Sequence, residues 1–150
     1  MEIIMRITRE ADYALRIMCL LTEDSEILDA GSIAERASVT PQFTLKILRK
    51  LSKGGLVRSY KGARGGYALE ANAKDATLRQ VIELIDGSLA ISKCVDGGCS
   101  LVGTNKSECV IHHIFAAVSD DLSKKLDSIT IAEVADRSAN ISELVKKIRD

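Results

Sequence analysis

The sequence contains no tryptophan, three tyrosines and two phenylalanines. With so few rings it lacks the aromatic platforms on which proteins stack single-stranded bases. Proline is almost absent too: Pro41 is the only one in 150 residues. That scarcity, with long periodic apolar stretches, predicts a mainly α chain. No segment approaches the roughly 20 continuous apolar residues of a membrane span. Met1 to Arg9 has no apolar block leading to a small-residue cleavage site. A cytoplasmic protein with no membrane partner is therefore expected. Also missing are a Cys-x-x-Cys pair at a helix start, a nucleotide-binding glycine loop and a Ser–His–Asp constellation, so an enzyme is not expected.

A further absence is of one charge sign in one place. Between Glu35 and Glu70 there is no acidic residue, yet Arg36, Lys46, Arg49, Lys50, Lys53, Arg58, Lys61 and Arg64 all fall there. The whole chain has 21 basic and 21 acidic side chains, so the remainder is net acidic by eight. A neutral chain with its positive charge gathered in one segment is built to meet a polyanion there.

That segment has the punctuation of a helix pair and a hairpin. Thr8 can cap a first helix to about Glu23, with Ala14, Ile17, Met18 and Leu21 as its apolar stripe. Ser32 and Glu35 have capping-box spacing, which predicts a short second helix from Ser32 to about Ser38. Thr40-Pro41 opens a third, with Thr40 as cap and Pro41 where a missing amide proton costs nothing. Its expected buried side is Phe43, Ile47, Leu48 and Leu51; Gly54-Gly55 ends it. Leu56 to Tyr60, a turn with three glycines, and Tyr67 to Leu69 read as a hairpin with Lys61 and Arg64 near its tip. The whole reads as a winged helix-turn-helix. Beyond it, Thr77 and Gln80 open another helix, which stops at Gly87. From Cys109 a long helix follows, with Ile111, Ile114, Phe115, Val118, Leu122 and Leu126 on one face. Thr130 to Ala135 reads as a short helix, and the tail from Ser138 is amphipathic. The expected division is 5–72 as DNA-binding head, 73–108 as connecting helix and cysteine loop, and 109–150 as dimerisation helix and tail.

The major groove admits an α-helix, which needs a polar outer face and an apolar inner one. On the third helix the expected DNA-facing residues are Thr40, Gln42, Thr44, Lys46, Arg49, Lys50 and Lys53. Gln42 can bond adenine in a bidentate way, Thr44 can meet a thymine methyl or a phosphate, and Arg49 can reach guanine. Arg58 and Lys61 add charge from the hairpin, and Arg64 can enter the minor groove.

Cys94, Cys99 and Cys109 are separated by four and nine residues, and His112 follows the third by one helical turn. Three thiolates and an imidazole can wrap zinc or an iron–sulfur cluster, and spacing alone does not separate the two. Three free thiols in a loop is the plainer alternative. Cys19, beside the apolar stripe of the first helix, reads as a buried thiol.

Several motifs in order resemble one family. They are Met5-Arg6-Ile7-Thr8-Arg9-Glu10-Ala11-Asp12-Tyr13-Ala14-Leu15-Arg16, Leu45 to Leu51, Gly55 to Ser59, Lys61 to Leu69, and Thr77-Leu78 through Ile85-Asp86-Gly87. Over about residues 5 to 118 the chain resembles the Rrf-two family of bacterial winged-helix regulators, whose members sense iron–sulfur clusters, nitric oxide, iron or cysteine metabolism. The resemblance implies a homodimeric repressor, with the long helix from Cys109 crossing its mate and two recognition helices on a palindromic double-stranded operator. It also implies that Cys94, Cys99 and Cys109 match the family's cluster-binding cysteines. The fourth ligand would be His112 in one branch, or Asp12 from the partner subunit in another. The gap between the second and third cysteines is longer than is common in cluster-binding relatives, and the first gap is shorter. The resemblance thus leaves open a cluster, direct thiol chemistry or a small-molecule effector. A reading of another class is a zinc-stabilised protein-interaction module.

Overall fold

Helix α1 (Arg9–Glu23) begins where Thr8 turns its hydroxyl to the Ala11 amide, and it buries Ala11, Ala14, Ile17, Met18 and Leu21. Those positions recur at helical spacing, so one face of α1 enters the core. The computed structural model describes residues 6–98 and 106–150. Around α1 pack α2 (Ala30–Ala37), α3 (Pro41–Lys53), α4 (Leu78–Asp86) and α6 (Ile131–Ala135). Segments far apart in sequence thus share one core, which includes Ile33, Ile47, Leu48, Leu51, Val81, Ile82 and Ile131. Full burial of each large aliphatic side chain contributes about 1.5–3 kcal/mol.

Helix α2 starts two residues before the expected Ser32. Asp29 is its cap: the carboxylate accepts from the Ser32 amide at 3.0 Å and the Ser32 hydroxyl at 2.6 Å. It ends at Ser38 in a left-handed conformation (φ 55°), and Val39 then bonds back to the Ala34 carbonyl. This tight exit sets α3 across α2 in a helix-turn-helix. Pro41 occupies the first turn of α3 as expected, but the Thr40 hydroxyl makes no capping bond. Instead the Thr40 carbonyl accepts the Thr44 amide at 2.9 Å and the Thr44 hydroxyl at 3.0 Å.

The strands β1 (Val57–Tyr60) and β2 (Gly66–Leu69) pair antiparallel, with Val57 opposite Leu69 and Tyr60 opposite Gly66. Leu28 extends this wing by exchanging two backbone hydrogen bonds with Tyr67, at 2.9 and 2.7 Å. The pairing needs glycine at 66, since a Cβ there would lie 2.4 Å from the Leu28 carbonyl oxygen.

Helix α4 opens on a complete capping box between Thr77 and Gln80. Helix α5 (Val110–Asp127) follows, with Cys109 at its N-cap. A second capping box, between Thr130 and Glu133, starts α6, and Ile131 bonds to the Ala76 carbonyl at 2.8 Å. The amphipathic tail forms α7 (Ile141–Arg149), on which no residue is fully buried. Among the described residues no helix is long and apolar enough to cross a membrane. The architecture is mainly helical with one small antiparallel sheet.

Candidate nucleic-acid interface

Helix α3 buries Thr44, Ile47, Leu48 and Leu51. At 100° per residue these cluster opposite Gln42, Leu45, Lys46, Arg49 and Lys53, all of which are exposed. Two expectations change. Thr44 has no exposed surface, so it is not a groove-facing residue; its hydroxyl is satisfied within the helix. Phe43 is 42% exposed rather than buried, and meets the Tyr13 ring edge-on at 6.0 Å. The apolar group on the outer face is Leu45, 37% exposed, whose exposure was not anticipated from the motif it belongs to. Thr40, just before α3, and Gln42, in its first turn, are both exposed.

The eight cations of the acid-free segment do not stand alike. Arg36 pairs with Asp24 at 2.7 Å. Lys46 and Lys50 converge on the two carboxylate oxygens of Glu10, at 3.0 and 2.7 Å. Arg58 touches Glu70 at 3.7 Å, in a long and exposed contact. Arg49, Lys53, Lys61 and Arg64 are exposed and take part in none of the ion pairs among the described residues. They extend from the outer face of α3 to the wing turn, where Gly62 adopts φ 102°. At Glu10, burial raises the carboxyl, but hydrogen bonds and charge from Lys50 and Lys46 outweigh it and hold the group below the usual carboxylate range.

The cysteine loop is built on local bonds. Cys94 lies 3.1 Å from the Ser92 hydroxyl, Val95 bonds to the Ser92 carbonyl, and Gly98 bonds to the Lys93 carbonyl. The loop is tied to α5 through Ser119, which no motif singles out. Its buried hydroxyl accepts from the Ile91 amide at 3.0 Å and donates to the Phe115 carbonyl at 2.8 Å. Cys94 and Cys109 are half-buried free thiols, while Cys99 lies outside the described residues. His112 Nδ1 is shielded from solvent and has no hydrogen-bond partner among the described residues; His113 Nε2 contacts the Ser107 carbonyl at 2.9 Å. Asp12 is held by Arg16 at 2.8 Å on the exposed side of α1. Among the described residues no three His, Cys, Asp or Glu side chains gather as a metal site. Cys19 is half-buried, and burial, then the nearby Glu23 charge, push its thiol up, away from reactive character.

On α5 the expected apolar stripe is left bare. Ile111 is 61% exposed, Ile114 54%, Phe115 37%, Val118 48% and Leu122 36%; only Leu126 of that stripe packs on the core. These side chains recur on one face of the helix rather than being scattered over its surface.

Comparison with known proteins places this geometry. The family model described as Rrf2, iron-dependent transcriptional regulator, matches residues 7–137. The HTH-type transcriptional regulator IscR of Escherichia coli O1:K1 is 32% identical over 133 residues, covering 87% of this chain and 80% of the relative. Among solved structures, CymR, the global cysteine regulator of B. subtilis, superposes with a TM-score of 0.68 at 23% identity, over 87% of this chain and 95% of that one. The T. potens IscR structure gives a TM-score of 0.66 at 25% identity, over 86% of this chain and 85% of its own. With the family model spanning all but the two ends of the sequence, the chain belongs to the Rrf2 family: it is a DNA-binding transcriptional regulator, not an enzyme.

Proposed function

We propose that this regulator is a homodimeric repressor that docks α3 and the wing on each half of a palindromic operator and senses iron or redox state at its cysteine loop. The observation that carries the DNA reading is the row of unpaired cations, Arg49, Lys53, Lys61 and Arg64, beside Gln42 and Leu45. Gln42 and Arg49 have the donors and acceptors to read base edges, and Leu45 offers an apolar contact for a thymine methyl. Lys53 and Lys61 supply phosphate contacts, Arg58 joins them by leaving its long contact to Glu70, and Arg64 reaches for the minor groove.

The sensing reading rests on position. The loop carrying Cys94 lies directly before α5 and is bonded to it through Ser119. A change at the thiols can therefore shift α5, and a shifted α5 alters the spacing of two recognition helices across a dimer. The family description, iron-dependent, supports an iron–sulfur cluster as the group held by Cys94, Cys99 and Cys109, with His112 or Asp12 of the partner subunit as fourth ligand. Zinc would suit the same donors. A second reading, direct thiol oxidation or a small-molecule effector, is supported by the cysteine spacing, with four and nine residues between the thiols, which departs from that common in cluster-binding relatives.

Protein purified without oxygen, incubated with sheared genomic DNA from its source, is expected to enrich fragments that share an inverted repeat. Failure to enrich any such repeat overturns the operator reading. Iron and acid-labile sulfide measured on the same preparation, with a visible spectrum, are expected to be positive; a colourless protein free of both removes the cluster and leaves the thiols.

A further inference from the structure

We propose that Glu10 is a built-in phosphate mimic that withholds Lys46 and Lys50 from DNA and thereby sets how tightly this regulator holds non-specific duplex. The inference rests on the reading of α3 as the DNA-facing helix. One carboxylate, in the first turn of α1, takes both lysines of the α1-facing flank of α3, one on each oxygen. Its side chain is only 16% exposed, whereas those of Lys46 and Lys50 are 55% and 37% exposed, so the carboxylate is the sheltered member of the cluster. The Lys50 amine also lies 3.5 Å from the Ile85 carbonyl, a long and weak contact. A DNA phosphate would have to displace a carboxylate that is already in place, shielded and bound to two ammonium groups. The contrast is Arg58, whose 3.7 Å contact with Glu70 is of the kind that contributes almost nothing. Arg58 is freer to move to phosphate than Lys46 and Lys50, which lie 3.0 and 2.7 Å from Glu10.

A site that reads sequence gains from such an arrangement. Phosphate contacts strengthen binding to every duplex alike, whereas base contacts discriminate. Holding two lysines back lowers the sequence-independent share of the affinity and leaves Gln42 and Arg49 to select.

The test measures affinity for a mixed-sequence duplex of about 30 base pairs as salt is varied, at a slope of about −0.9 in log K per phosphate neutralised. Glu10→Gln keeps the shape of the side chain and removes its charge. It is expected to steepen the slope by about 1.8 per DNA-bound subunit. Raising salt from about 50 to about 200 mM then costs about twelvefold more affinity per subunit than in the wild type. Adding Lys46→Gln and Lys50→Gln to Glu10→Gln should restore the wild-type slope, with unchanged far-ultraviolet circular dichroism showing that all forms fold. An unchanged or shallower slope in Glu10→Gln overturns the proposal and makes Glu10 an anchor for α3. Arg49→Ala is measured alongside: if it binds like the wild type, the reading of α3 fails, and this inference with it.

Discussion

The bare stripe on α5 makes a prediction whose size follows from the exposures. Ile111, Ile114, Phe115, Val118 and Leu122 together leave a little over two whole side chains in water per subunit. At about 1.5–3 kcal/mol for a fully buried large apolar side chain, covering them yields about 4–7 kcal/mol per subunit. Counted on both subunits, that is about 8–14 kcal/mol, which meets most of the roughly 4–15 kcal/mol range that association costs. The perturbation is Ile114→Asp, in the middle of the stripe. A twofold interface repeats every residue, so two carboxylates enter it. At about 3–5 kcal/mol for each uncompensated buried charge, the dimer loses about 6–10 kcal/mol. At 1.4 kcal/mol per tenfold, its dissociation constant rises by about four orders of magnitude or more. In sedimentation at micromolar concentration the wild type is expected at twice the 16.3 kDa chain mass and the variant at the chain mass. The variant should keep its helix content, because Ile114 is 54% exposed within the single chain. A variant that sediments as a dimer refutes the assignment of this face.

Four further outcomes are expected. Arg49→Ala should weaken operator binding by about 1–3 kcal/mol, as for loss of a base contact. Thr44→Ala should instead leave DNA affinity within twofold and lower stability by about 1 kcal/mol through its lost hydrogen bond, read by chemical denaturation. Cys19→Ala should leave iron content and DNA binding as they are, measured beside Cys94→Ala, because burial keeps this thiol protonated. At Asp127 the Arg79 hydrogen bond, followed by burial acting the other way and Thr77, holds the carboxyl below its usual range. Its folded value is thus depressed, so its contribution is present above the ordinary carboxylate range and disappears as pH falls through the lower folded value. Asp127→Asn should therefore flatten the fall in melting temperature below about pH 4. A variant whose acid profile overlays that of the wild type would show that the pair is inert.

Much of the frame was readable from short-range chemistry. Thr8 and the Thr77–Gln80 box mark helix starts through bonds within four residues, Pro41 marks one through its fixed φ, and the glycine-rich turn between β-forming runs marks the wing. Where two local solutions competed, the reading slipped. Asp29 and Ser32 both have capping side chains, and Asp29 prevails because its carboxylate takes the Ser32 amide and hydroxyl together. Thr44 looked polar and therefore outward, yet its hydroxyl bonds to Thr40 and its methyl can share the buried side with Ile47 and Leu48. Phe43 looked apolar and therefore inward, yet it lies between the two faces and leans on Tyr13. Ser119 carried no motif, because its role depends on a loop backbone 28 residues away.

The charge illustrates the division best. That eight cations and no carboxylate share the span from Arg36 to Leu69 is a property of residue order and needs no coordinates. Which of those cations remain available is not. Glu10 lies 36 residues before Lys46 in the chain and 3.0 Å from it in the fold. Coulomb energy depends on separation in space and on how well water screens it, and neither is written along the chain. Packing α1 against α3 tied two of the eight cations to Glu10 and left Arg49, Lys53, Lys61 and Arg64 outside any ion pair among the described residues.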